Sequence, residues 1–307
     1  MHIPDGYLST RVWAATDAVS APAVLWIARR AQAKFEHHKV PLLGIMGAFV
    51  FAAQMINFPV GNGTSGHLVG AALLACTLGP AAASIVMTAI LTTQALLFQD
   101  GGLLALGANV FNMAIAGVFV GYLPCVLLKG SRAGFFLSGF LSLLTAALLA
   151  LTELLISGVA MPRAMVGVSL GLFVVSAAIE GAITMGVAAA LEKIQPGCLR
   201  RPEGLSKRSW AIGGLAAAAI AAAAGLVAAD APDGIESLAR QTGIWNKAAV
   251  FYKSPLGDYQ AAFVATPWIA KGFAGVAGLM VIYVVCTAIS RALAAARPAT
   301  LVERKGA

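Results

Sequence analysis

Two of the four histidines, His2 and His67, stand at the edges of apolar stretches, where their side chains can bind a metal ion. Neutral imidazole is a strong ligand for nickel, copper, cobalt and zinc. If Met1 is retained, its amine, the backbone nitrogen of His2 and the His2 imidazole can close two fused chelate rings on one ion. His67 can add a fourth nitrogen, and planar nitrogen coordination suits Ni(II) or Cu(II), whereas Zn(II) prefers a tetrahedron.

The sequence context of the two histidines bears on this hypothesis. The N-terminus lacks the basic start and apolar stretch of a cleavable signal, so we expect Met1 and His2 to remain in the mature chain. Glycines precede His67 at positions 61, 63 and 66, and they allow irregular backbone to approach other groups closely. The spacing alone leaves open that His2 is a frayed terminal residue and that His67 is a polar group of the core.

Polar residues within or beside the apolar spans and the loop before His67 are candidates for orienting the ligands or the N-terminal tail by hydrogen bonds. For the amides, hydrogen bonding between helices without any role at a metal is an equally good interpretation. For the two hydroxyl residues, the alternative is capping of a helix beside an ordinary loop. The candidates are Gln54, Asn57, Thr64, Ser65, Gln94, Asn109 and Asn112.

The elements that must position these residues are membrane helices. Of the 307 residues, 59% are hydrophobic and only 11% are charged, and the mean hydropathy is +0.84, which excludes a soluble globular protein. An all-α polytopic membrane protein is predicted, because a bilayer requires about 20 apolar residues per helix. Nine apolar spans are predicted, at 12–31, 42–58, 68–78, 81–98, 103–128, 135–156, 165–191, 210–229 and 268–289.

The distribution of basic residues predicts the orientation in the membrane. With these spans, 15 of the 21 Lys and Arg residues fall on one side and 6 on the other. Since cytoplasmic loops are enriched in basic residues, the N-terminus is predicted outside and the C-terminus in the cytoplasm. The aqueous segment 230–266 then faces outward together with Met1.

Three segments carry a resemblance to a known family: Met-His-Ile-Pro-Asp-Gly-Tyr-Leu-Ser at the start, Asn-Phe-Pro-Val-Gly-Asn-Gly-Thr-Ser-Gly-His ending at His67, and FQDGGLLALGANVFNMAIAG from Phe98. They resemble the NikM/CbiM family, the substrate-specific (S) components of energy-coupling factor (ECF) transporters for nickel and cobalt. The resemblance covers residues 1–195 and implies a seven-helix bundle. It also implies that Met1, His2 and His67 carry the metal, with the N-terminal tail folded back into the bundle.

The C-terminal part, residues 210–307, follows a predicted cytoplasmic linker at 196–209. It resembles the NikN/CbiN-type accessory component through Pro-Asp-Gly-Ile-Glu from Pro232 and Ser-Pro-Leu-Gly-Asp-Tyr from Ser254. This resemblance implies two transmembrane helices around an outer loop, fused here to the first module. The Pro-Asp-Gly sequence is in the first place a turn signal.

The expected function is uptake of Ni²⁺ as a substrate, with Co²⁺, for instance for cobalamin synthesis, as the alternative. No P-loop occurs, so the resemblance implies a membrane coupling subunit and cytoplasmic ATP-binding cassette subunits as partners. A bacterial cytoplasmic membrane location is expected. The sequence has no basic patch with interleaved aromatic residues, so nucleic-acid binding is not expected. The four cysteines lie far apart, and no disulfide is predicted.

Two other classes of function are alternatives to metal uptake driven by partner subunits. A self-sufficient secondary metal transporter would use Asp17, Glu153 and Glu180 as an ion path, although structural pairing is an alternative for each. An intramembrane metal-dependent hydrolase lacks support, because neither a His-Glu-x-x-His pattern nor a nucleophile elbow occurs. Glu36, His37 and His38 lie between lysines and are interpreted as a solvated cytoplasmic loop.

Overall fold

The computed structural model describes residues 1–32, 40–194, 199, 211–212, 214–221 and 231–295. Helices dominate these ranges, and five of the described helices are long and apolar enough to cross a membrane. This confirms the predicted class of a helical multi-pass membrane protein. The five helices are Pro80–Phe98, Leu106–Leu127, Arg132–Ile156, Arg163–Ile194 and Pro267–Ala295.

The first part of the chain forms eight α-helices and one β-hairpin. Gly79, with a φ of 82°, ends α3, and Pro80 begins α4, so the predicted break between two helices lies at this dipeptide. In order, the elements are α1 (Thr10–Gln32), α2 (Val40–Gln54), β1 (Asn57–Gly61), β2 (Thr64–His67), α3 (Ala71–Leu78), α4 (Pro80–Thr93), α5 (Leu106–Asn109), α6 (Val118–Leu127), α7 (Arg132–Ile156) and α8 (Arg163–Ile194).

Two π-helical segments interrupt this pattern. Gln94–Phe98 extends α4, and Val110–Gly117 joins α5 to α6. They flank the loop of residues 99–105, which receives the N-terminal tail. Wider turns of this kind are common at functional sites because they redirect the side chains of a helix.

The hairpin corrects the predicted end of the second span. That span was expected to reach residue 58, but α2 ends at Gln54, and β1 pairs antiparallel with β2, with Asn57 opposite His67. Pro59 cannot donate an intrahelical hydrogen bond, and Asn62 and Gly63 adopt positive φ angles of 49° and 67°. The backbone therefore turns here, which places His67 at the end of a strand.

The C-terminal part packs closely on this bundle. The connecting segment, residues 231–266, contains α9 (Gly234–Thr242) and two 3₁₀ turns (Ile244–Lys247 and Gly257–Tyr259), and α10 (Pro267–Ala295) follows. A Cβ added to Gly44 of α2 would lie 2.6 Å from the Thr287 hydroxyl of α10. Small residues thus let the two helices approach closely.

Several predicted features fall on residues that the structure does not describe. They are the linker 196–209 apart from residue 199, the cysteine at position 198, the loop with Glu36, His37 and His38, and most of the span 210–229. Of that span, residues 211–212 and 214–221 are described and helical.

The three acids considered for an ion path each accept hydrogen bonds within the bundle. Glu180 accepts from the backbone nitrogens of Val69 (2.9 Å) and Gly70 (2.8 Å). Asp17 accepts from the backbone nitrogen of Gly107 (2.7 Å), and Glu153 from Asn112 Nδ2 (2.8 Å). These contacts join neighbouring elements of the fold, as the structural interpretation of the three acids requires.

Glu180 gives a test of this packing. Glu180→Ala leaves two buried backbone N–H groups without an acceptor, so we expect a loss of about 2–5 kcal/mol in stability. Thermal unfolding of the purified chain measures it, with Val174→Ala on the exposed face of the same helix as the control. Equal unfolding temperatures for the two variants would contradict the assigned role.

Candidate metal centre

The N-terminal tail lies inside the bundle. Met1, His2 and Ile3 are only 7%, 4% and 0% exposed. Asn109 fixes the tail on both sides of one residue, because its Oδ1 accepts from the Ile3 nitrogen (2.8 Å) and its Nδ2 donates to the Ile3 oxygen (3.0 Å). The tail is therefore held by a side chain that follows the pairing pattern of a β-strand.

Asp5 anchors the same tail to the start of a helix. Its carboxylate accepts hydrogen bonds from the backbone nitrogens of Leu103 (2.8 Å), Leu104 (2.8 Å) and Ala105 (3.1 Å). A negative charge is favourable there, since the N-terminus of the helix that begins at residue 106 carries partial positive charge. A Cβ at Gly102 would lie 2.1 Å from Asp5 Oδ1, so only glycine leaves room for this contact.

The three nitrogen-bearing residues converge at the buried end of the tail. The Met1 amine lies 2.6 Å from His67 Nε2, and the rings of His2 and His67 stack at 5.3 Å with an angle of 5° between their planes. Burial, the Met1 ammonium and His2 together lower the pKa of His67 to about 4. His67 is therefore neutral at pH 7 and can act as a metal ligand.

Two carboxylates accompany these nitrogens. Asp233 forms an ion pair with the Met1 amine and lies 3.9 Å from His67 Nε2, and Asp100 Oδ1 lies 2.9 Å from His2 Nδ1. Burial raises the pKa of the Asp233 carboxyl, but the Met1 ammonium and His67 outweigh burial and hold that pKa below its usual value. The pKa of Asp100 is likewise lowered, because the adjacent His2 outweighs burial.

A chain of hydrogen bonds connects this centre to the connecting segment. Tyr259 donates to Asp100 Oδ2 (2.6 Å) and accepts from Gln94 Nε2 (3.0 Å). Gln94 Nε2 also donates to Gln54 Oε1 (2.9 Å), and Gln54 Nε2 donates to the Val69 oxygen (2.6 Å). Gln54 and Gln94 therefore lie in a network that reaches His2 through Asp100.

Two residues of the hairpin contact the connecting segment, and Asn57 lies beside the histidines. Thr64 donates to Ser237 Oγ (3.1 Å), and Ser65 donates to the Ala231 oxygen (2.6 Å), so both side chains bind the connecting segment. Asn57 lines the cavity beside His2 and His67. Asn112 donates to Glu153 and so joins two helical segments, as the interpretation by hydrogen bonding between helices expects.

The arrangement needs main-chain nitrogens to hold a metal ion. Within the described ranges, no three His, Cys, Asp or Glu side chains form a group that could bind one. The Met1 amine and the His2 backbone nitrogen are adjacent in the chain to the His2 ring and complete a set of nitrogen donors with His67. A metal site made of these donors would therefore include the Met1 amine.

Sequence reasoning missed the acidic residues of this centre, although the motifs quoted for the resemblance contain them. Asp233 and Glu236 belong to Pro-Asp-Gly-Ile-Glu, where Asp233 also caps α9 by accepting from the nitrogens of Ile235 and Glu236, both at 2.8 Å. Asp100 lies in the FQDGG sequence, and Asp258 and Tyr259 end the Gly-Asp-Tyr sequence. Charged residues within these motifs are the signal that would have found them.

Asn109 provides a test of how the tail is held. Asn109→Ala removes both hydrogen bonds to Ile3, each worth about 1 kcal/mol. We expect amide hydrogen exchange in the N-terminal peptide, residues 2–8, to accelerate about tenfold or more, as measured by mass spectrometry. Asn246→Ala, at an exposed amide, is the control. Unchanged protection in Asn109→Ala would show that Asp5 alone suffices.

Comparison with known proteins places this chain in a family. Residues 2–198 match the family model CbiM, described as "Cobalt uptake substrate-specific transmembrane region". A putative fused nickel transport protein NikMN from Archaeoglobus fulgidus is 33% identical over 95% of this chain and 98% of its own length. The fused nickel transport protein NikMN of Rhodobacter capsulatus is 30% identical over 86% of this chain and 90% of its own.

A solved structure supports the same assignment. A crystal structure of a transition metal transporter is 35% identical to this chain, with a TM-score of 0.57, over 66% of this chain and all of the other. The chain therefore belongs to the CbiM family, and it is a nickel or cobalt transport component of the fused NikMN type.

Proposed function

We propose that this chain is the metal-capturing S component of an ATP-driven ECF importer, and that it binds Ni²⁺ through the nitrogens of Met1, His2 and His67. The single observation that carries the proposal is the convergence of the Met1 amine on His67 Nε2 at 2.6 Å beside the His2 ring. Two nitrogens at right angles, each about 2 Å from one ion, lie about 2.8 Å apart. The distance between these atoms fits neighbouring positions of a planar site.

Nickel is favoured over cobalt by two arguments. Planar nitrogen coordination suits Ni(II). Two fused relatives that match 86% or more of this chain are named for nickel, whereas the cobalt transport protein CbiM of Lachnoclostridium phytofermentans matches 46% of it. Co²⁺, which also binds nitrogen ligands, is the alternative substrate, for instance in cobalamin synthesis.

Energy for uptake is proposed to come from partner subunits. The sequence has no P-loop, so the proposed partners are a membrane coupling subunit and cytoplasmic ATP-binding cassette subunits. The excess of basic residues on one side supports an orientation with Met1 outside and the C-terminus in the cytoplasm. In this orientation the metal centre faces the medium.

Addition of one residue before Met1 tests the proposed chelate. The extra residue converts the Met1 amine into an amide and removes the ring geometry, while every side chain remains. We expect nickel affinity to fall by more than the roughly 100-fold that loss of an outer hydrogen-bond partner costs. Equilibrium titration with Ni²⁺ measures this, and His2→Ala and His67→Ala should abolish tight binding.

The controls separate this chelate from a site made of side chains alone. His37→Ala, in a segment that the sequence predicts to be a cytoplasmic loop and that lies outside the described residues, should bind Ni²⁺ as the native chain does. Titration with Co²⁺ gives the preference between the two ions. If the extended chain binds Ni²⁺ as tightly as the native one, the terminal amine is not a ligand.

Reconstitution into liposomes tests the proposed partners. The chain alone should bind Ni²⁺ without accumulating it, because it has no means of coupling to ATP. Accumulation should require the coupling subunit, the ATPase subunits and ATP on the side of the liposome membrane where the ATPase subunits lie. Accumulation by the chain alone under an ion gradient would instead support the secondary transporter. Replacement of Asp17, Glu153 and Glu180 in turn would then identify the ion path.

A further inference from the structure

Two cysteines meet at a point of the bundle that the candidate metal centre does not use. Cys76 of α3 and Cys125 of α6 are hydrogen-bonded to each other through their thiols. On α8, Ser176 lies beside Gly66 of the hairpin, whereas Ala188 packs in the apolar cluster around Cys76. Since a helix rises 1.5 Å per residue, about 18 Å of α8 separates the two places.

The packing of α3 on α6 brings the two thiols together. One turn before the cysteines, a Cβ added to Gly121 would lie 3.1 Å from the Ala72 Cβ, so small residues let the helices approach closely. Cys76 follows Ala72 by four residues, and Cys125 follows Gly121 by four. Residues four apart share a face of a helix, so the cysteines form the next contact along the same two faces.

The two thiols differ in their access to small molecules. Cys76 is 8% exposed and lies in one apolar cluster with Phe135, whereas Cys125 is half-buried. Both residues line a cavity of about 740 Å³, far larger than a molecule of the size of water, at about 30 Å³. A small reagent can therefore reach Cys125 first, and Cys76 is in contact with the sulfur that has reacted.

Positive charge lines the same cavity. Lys129, Arg132 and Lys193 contribute to its wall, and Glu192 is the single carboxylate among the described residues that line it. Cations near a thiol favour the thiolate, which is the nucleophilic form of cysteine. An accessible thiol near cations, with a second thiol in contact, is the arrangement of a cysteine that oxidation converts into a disulfide.

We propose that Cys76 and Cys125 are a redox-active dithiol, which hydrogen peroxide converts into a disulfide between α3 and α6. The Cys125 thiolate attacks one peroxide oxygen, the O–O bond breaks, and a sulfenic acid forms with release of water. The Cys76 thiol then attacks the Cys125 sulfur, the S–S bond forms, and the sulfenic oxygen leaves as water with the Cys76 proton. In total, two thiols and one peroxide yield one disulfide and two waters.

The site goes beyond the proposed function and does not depend on it, because neither thiol belongs to the candidate metal centre. Its residues lie on the predicted cytoplasmic side, where thiols are kept reduced and disulfides are transient. The dithiol is therefore the resting form, and a thiol reductant restores it after oxidation. While the disulfide persists, it ties α6 to the short helix that begins four residues after His67.

The experiment exposes the full purified chain to hydrogen peroxide and maps its cysteines by differential alkylation and mass spectrometry. We expect the native chain to lose two of its four thiols, those of Cys76 and Cys125, and to yield one disulfide-linked peptide pair. Dithiothreitol should restore both thiols. Cys286→Ser is the matched control, because Cys286 is also buried, at 2% exposure, but lies against Gly47 of α2. This variant should form the same disulfide as the native chain.

Two single variants separate the steps of the reaction. Cys76→Ser should leave a sulfenic acid at Cys125, which dimedone present during the oxidation traps, and Cys125→Ser should keep the Cys76 thiol reduced. The native chain decides the main point without any substitution. Reduced Cys76 and Cys125 after peroxide treatment, or a disulfide of either residue with Cys198 instead, would overturn the dithiol. Loss of the Cys76 thiol in Cys125→Ser as fast as in the native chain would do the same.

Discussion

The candidate metal centre depends on one constraint, the burial of the N-terminal tail. A free amine at the end of a polypeptide loses conformational entropy when it is fixed, and ordering each residue costs about 1–2 kcal/mol. Asp5 and Asn109 offset this cost with five hydrogen bonds to and from backbone groups. Because these contacts fix the tail on both sides of Pro4, Met1 and His2 have a defined position opposite His67.

The rest of the structure provides the two surfaces between which the tail lies. The first is the helical bundle, whose loop between α4 and α5 receives Asp5. The second is the connecting segment, whose Ala249 nitrogen donates to the Asp5 oxygen (3.0 Å) and whose Pro232 oxygen accepts from the Ser65 nitrogen (2.8 Å). The segment thus binds the tail and the hairpin together, so the two modules share one site.

The sequence predicted the helical class, and residue types alone identified His2, His67 and Met1 as candidate metal ligands. Hydropathy identifies the helical membrane class because each apolar residue contributes locally. The hairpin was missed at its first strand, since Phe58 continues an apolar run that reads equally well as a helix. Pro59 was the available signal of a break.

The acidic side of the centre was beyond such reasoning for a physical reason. Asp233 caps a helix with one carboxylate oxygen, a role that the Pro-Asp-Gly sequence indicates. Its second oxygen binds the Met1 amine, and no neighbouring residue in the sequence indicates that contact. Asn109 and Asn112 also look alike in sequence, yet the first holds Ile3 and the second holds Glu153. Only the packing of the helices decides which amide faces the tail.

The ion pair between Met1 and Asp233 has a consequence for biosynthesis. The two residues are 232 positions apart, so Met1 pairs only after its partner in the last third of the chain has been made. Contacts of such long separation form late, because the loop between them must close first. The candidate metal centre is therefore expected to be among the last parts of the fold to form.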